Sequence, residues 1–80
     1  MNRDELKELV VNNFLLLTTA KKIRDKNSEN YSNFMKLDYV CSKLKESYTI
    51  SYQLLLNKYF KGNEKELIKF LNWLILEDQF

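Results

Sequence analysis

Eighty residues with a single glycine and no proline make one domain, near the lower limit for a chain that folds without staples. So few tight-turn formers ill suit an all-β design. Thirteen basic residues against eleven acids leave a net charge of +2, too near neutrality to demand an anionic partner. One cysteine, Cys41, cannot close an internal disulfide, and histidine is absent; this fits a reducing compartment and removes the commonest general base and zinc ligand.

The longest apolar run, residues 14–17, is far short of the roughly 20 residues that span a bilayer. The opening Asn2, Arg3, Asp4, Glu5 is not a basic lead into an apolar signal core. The expectation is a cytoplasmic protein of one helical domain over residues 1–80, without membrane partner. Lys, Asn, Tyr, Ile and Leu are abundant and Ala scarce, a bias common in AT-rich genomes; on composition alone it suggests a phage or mobile-element origin.

The predicted fold is all-α, a compact bundle of about four helices over residues 3–24, 32–46, 50–61 and 64–78. The first opens with Asp4, Glu5 and Glu8 and closes with Lys21, Lys22, Arg24 and Lys26, the order that the helix dipole favours. Its wide apolar face is Leu6, Leu9, Val10, Phe14, Leu16, Leu17, Ala20 and Ile23. Val11 and Leu15 stand outside that face and are expected to be core wrapped from a second side. Asn13 lies within the face, so it should be hydrogen-bonded across the core or into an interface.

Residues 25–30 are a polar loop rich in turn formers. The second predicted helix presents Phe34, Leu37, Cys41, Leu44 and Tyr48, with Val40 at the margin, while Met35 and Tyr39 stand off that face. Residues 47–51 hold β-branched and capping residues and no strong helix former, which predicts a break with Ser47 or Thr49 capping a short third helix. That helix offers Tyr52, Leu55, Leu56, Tyr59 and Phe60. Gly62 falls where a left-handed terminator is needed, and Asn63 with Glu66 gives a capping box for the last helix.

In the last helix Leu67, Ile68, Phe70, Leu71, Leu74 and Ile75 share one side, and Trp73, Leu76 and Phe80 share the other. A domain this small hides one such stripe on a terminal helix, so the second points to macromolecular contact.

No catalytic signature stands out. Asp4, Glu5 and Glu8 are explained as dipole partners, Asp38 and Glu46 are too far apart to act as a pair, and Cys41 on an apolar face reads as packing. No loop alternates acids as a calcium loop does, and one glycine builds no phosphate cradle. The expectation is therefore no enzyme, no cofactor, no metal and no small-molecule substrate.

Residues 40–55 resemble the core of a helix-turn-helix, with Val40, Cys41 and Leu44 in the first helix, Ser47 at the turn, and Tyr52, Leu54 and Leu55 in the recognition helix. The pattern departs at Lys45, where glycine is usual, and at Glu46, where an apolar residue is. Residues 48–53 lack arginine and lysine. In this alternative, a small DNA-binding regulator, Lys21, Lys22, Arg24, Lys36 and Lys43 would face phosphates, and Thr49, Tyr52 and Gln53 would approach bases.

The preferred reading is a small regulator or inhibitor that docks on a protein partner, pairs as a homodimer, or both. Its expected anchors are Trp73, Leu76 and Phe80, with Lys69 and Glu77 at the rim, and Met35 and Tyr39 as a second surface.

Overall fold

A computed structural model describes the backbone of residues 1–78 and the side chains of residues 1–71. It is all-helical, with three helices among the described residues: α1, Arg3–Lys26; α2, Tyr31–Tyr59; and α3, Glu64–Asp78. The first and last helices start where the sequence places them. The expected bundle of about four helices is corrected to three, because residues 46–51 lie inside one unbroken α2 of 29 residues.

The reason is tertiary. The stretch holds no proline or glycine, and its β-branched and small polar residues cost at most about 0.7 kcal/mol each against alanine. Against that weak preference stand specific contacts with α1. Asn13 donates from its amide nitrogen to the Ser47 carbonyl at 3.3 Å and to Ser51 Oγ at 3.2 Å. Ser51 Oγ donates back to the Tyr48 carbonyl at 3.0 Å, and Phe14 and Tyr48 stack with centroids 5.9 Å apart. Asn13 therefore bonds across the helix pair, and Ser51, only 2% exposed, keeps both its lone pair and its proton occupied.

The caps fix the ends. Asn2 accepts from the Glu5 amide at 2.8 Å, and Asn30 accepts from the Asn33 amide at 3.1 Å. Asn27 closes α1 by donating from its side chain to the Ile23 carbonyl at 2.8 Å. α2 ends where the Leu56 carbonyl accepts from both Phe60 and Gly62, with positive φ at Lys61 (50°) and Gly62 (83°). Asn63 accepts from the Glu66 amide at 3.4 Å. This is half of the expected capping box, since the Glu66 carboxylate lies 3.9 Å from Lys69 Nζ instead.

α1 and α2 form an antiparallel hairpin. Arg24 meets Asp38 near the loop, Asn13 meets Ser47 and Ser51 midway, and the Met1 carbonyl accepts from Lys58 Nζ and Tyr59 Oη at the open end. α3 folds back over one side of the open end. There Leu67 and Leu71 complete a core with Leu6, Val10, Val11, Leu55 and Leu56. Val11 is thus core, and Leu15 packs against it, as expected for residues wrapped from a second side. Phe70 lies 5.3 Å from Phe60 under the cations of Arg3 and Lys7. A smaller cluster of Leu17, Ala20 and Cys41, with Leu44 against it, holds the loop end. Among the described residues, no helix is long and apolar enough to cross a membrane.

Candidate docking surface

α3 covers one side of the hairpin and leaves the other bare. On α1 the bare side carries Leu9, Leu16 and Ile23, spaced by seven and so aligned along the helix. Leu9 is half-buried, while Leu16 and Ile23 are 55% and 45% exposed. This corrects their expected place on the buried face. On α2 the same side carries Val40, Ile50 and Leu54, exposed by 44%, 62% and 53%.

The two helices meet in a shallow furrow of about 310 Å³ lined by Leu9, Asn13, Ser47, Ile50, Ser51 and Leu54. A neighbouring hollow of about 510 Å³ is lined by Thr49, Ile50, Gln53, Leu54, Asn57 and Lys58. All six of those residues belong to α2, so no second wall faces them. A small ligand needs concave walls that bury most of its surface, and this hollow is walled by one helix alone.

Met35 and Tyr39 are exposed on α2, as expected, at 48% and 65%. Tyr39 and Ile50, eleven residues apart, fall within about 20° of one another around the helix, so they extend the stripe toward the loop. Lys43 Nζ lies 5.4 Å from the Tyr39 ring centroid and 3.8 Å from a Glu46 oxygen.

Lys69 is exposed on α3 beside Glu66. Ile68, expected on the packed face of α3, is 46% exposed. Trp73, Leu76 and Phe80, with Glu77, Leu74 and Ile75, lie outside the residues whose side chains are described.

The alternative set for nucleic acid is dispersed. Residues 40–55 run through α2 without a turn, so the two helices of a helix-turn-helix are not formed there. Tyr52 is half-buried against the core and stacks on Tyr48 at 5.9 Å, whereas Thr49 and Gln53 are exposed. Lys21, Lys22 and Lys36 are exposed, but Arg24 is spent within the fold, 3.2 Å from Asp25 and 3.0 Å from Asp38. Those carboxylates, Asp25 foremost, raise the guanidinium pKa against a smaller opposing effect of burial.

Elsewhere the chemistry is spare. Among the described residues, no three of His, Cys, Asp and Glu gather as a metal site. Cys41, 4% exposed, packs against Leu17 and Ala20. Every described carboxylate is exposed except Asp38, which is half-buried on Arg24. Tyr48 and Tyr52 hold their protons more firmly than free tyrosine, mainly through burial, with Tyr52 adding to the effect at Tyr48 and Glu64 at Tyr52.

Comparison with protein-family models, curated proteins and solved structures finds no match to this chain.

Proposed function

We propose that this chain works by binding and carries out no chemistry: a small helical module, regulatory or inhibitory, that docks on another polypeptide through the bare side of the α1–α2 hairpin. One observation carries this reading. Leu16, Ile23, Val40, Ile50 and Leu54 stand exposed on a single side that α3 does not reach. Single exposed leucines are ordinary on a protein surface, whereas a contiguous apolar strip across two packed helices marks an interface. The amide of Asn13, the carbonyl of Ser47 and the hydroxyl of Ser51 lie at the floor of the furrow, with the amide donating to both oxygens and the Ser51 hydroxyl donating to the Tyr48 carbonyl. Covering them therefore costs little in lost hydrogen bonds to water.

The test is photo-crosslinking in the source cell with benzoylphenylalanine at Ile50, and at Lys65 as an exposed control on α3. A discrete adduct from position 50 and none from position 65 is the expected result. Absence of any discrete adduct from position 50, or from Leu16 and Leu54 in turn, ends the docking reading.

A further inference from the structure

We propose that the bare side of the hairpin closes on the same side of a second copy of this chain, about a two-fold axis that passes α1 at Leu16 and α2 at Ser47, with each helix antiparallel to its counterpart. This rests on the docking reading and names its partner.

An isologous interface requires a patch that maps onto itself under a half-turn. On α1, Leu9 and Ile23 lie seven residues either side of Leu16, so a half-turn at Leu16 sets Leu9 against Ile23 of the second copy and Leu16 against itself. On α2, Val40 and Leu54 lie seven residues either side of Ser47, and the same operation sets Val40 against Leu54. Lys43 and Ile50, four and three residues from Ser47, come within about one residue of each other, near enough for the lysine stem to lie along the isoleucine.

These two centres share a level on the hairpin. Asn13 bonds Ser47 and Ser51, and Leu17 packs with Cys41 and Leu44. Leu16, between them on α1, is therefore level with about residues 44–46 of α2, within one turn of Ser47. One axis serves both helices. A partner of different sequence would impose no such symmetry on this face.

Charge agrees. Residues 5, 9, 12, 16, 19, 23 and 26 alternate steps of four and three, the seam of a left-handed helix pair. Between an exposed Glu5 and an exposed Lys26, the apolar Leu9, Leu16 and Ile23 alternate along it with the exposed Asn12 and Thr19. The half-turn brings Glu5 to within about one residue of Lys26 in the second copy, and Glu8 to within about two of Lys22. Lys36 and Lys58 would share a level on α2. Lys58 is drawn back to the Met1 carbonyl at 3.2 Å, and exposed like charges are screened at physiological salt. The side is about 36 Å long and two helices wide, so each copy offers roughly 700 Å², close to the share of a standard specific interface. Ser47 at the crossing is small enough for close approach of the two α2 helices.

The experiment takes the full chain through sedimentation equilibrium over a concentration series, with Leu16→Glu, Leu16→Cys, Leu9→Cys and Ile23→Cys variants. Wild type should reach twice the chain mass, and Leu16→Glu should raise the dimer dissociation constant at least tenfold with helix content unchanged. With copper phenanthroline as oxidant, Leu16→Cys should cross-link to itself. Leu9→Cys should cross-link only when mixed with Ile23→Cys. Buried Cys41 in wild type is the negative control.

A protein that stays monomeric throughout, a dimer indifferent to Leu16→Glu, or Leu9→Cys linking to itself each overturns the proposal. The photo-adduct from position 50 separates the two readings. Twice the chain mass supports the dimer. A discrete adduct of another mass overturns the dimer and leaves docking standing, and no adduct ends both.

Discussion

Asn13 shows how one polar side chain can decide a local conformation thirty-odd residues away. Its amide nitrogen bridges Ser47 and Ser51 and anchors α2 where local preference is weakest. Asn13→Ala should cost about 1 kcal/mol, the net worth of a neutral hydrogen bond. Ser51 Oγ keeps its own acceptor in Tyr48, so the loss is moderate. Thermal denaturation should show a fall in Tm of about 4–8 °C; no shift would mean that the bridge contributes nothing. Tyr48 carries a second expectation. Burial raises its pKa above the ordinary 10.0, so the folded state holds the phenol proton longer than the unfolded chain does. Stability from this source is complete below pH 10 and drains away as pH rises through the folded value. Tyr48→Phe should therefore flatten the alkaline loss of stability in urea titrations above pH 10, while leaving neutral stability within about 0.5 kcal/mol.

The start of α1 and the junction of α2 with α3 were readable because they rest on short-range chemistry: first-turn acids, the Asn63 cap, and a lone glycine in the left-handed region. The continuity of α2 was not readable. Residues 47–51 are indifferent to helix by composition, and their state is set by α1, remote in sequence. The bare side was hidden for a related reason. Leu16 and Ile23 are as apolar as Leu6 and Leu17, and which side of α1 is covered depends on where Lys61 and Gly62 send α3. A proline test separates a break from an unbroken helix. At the first turn of a new helix, proline at position 49 would be tolerated. Within a continuous α2 it removes a backbone bond and clashes with the preceding turn, at about 3 kcal/mol or more. Thr49→Pro should thus abolish most of the helical circular dichroism at room temperature, whereas exposed Thr49→Ala should leave it intact. Equal behaviour of the two would restore a break.

In the molecule as a whole, two sets of leucines of similar character have opposite duties, and the division can be measured. Leu55 and Leu67 are fully enclosed, Ile50 and Leu54 more than half exposed. Leu67→Ala removes packing that joins α3 to the hairpin, and a loss of about 2–5 kcal/mol is expected, close to the whole stability of so small a domain. Ile50→Glu and Leu54→Glu touch no described core, so the isolated protomer should change by no more than about 0.5 kcal/mol. Their effect belongs to association. If the bare sides pair, unfolding of wild type is linked to dissociation, and Tm must climb with protein concentration because the folded state binds itself. Calorimetry over a hundredfold concentration range should show that climb in wild type and a flat Tm in either glutamate variant, whose curve should meet wild type at the dilute end. A variant that falls well below wild type even in dilute solution would show these side chains supporting their own fold, and the apolar strip would lose its standing as a binding surface.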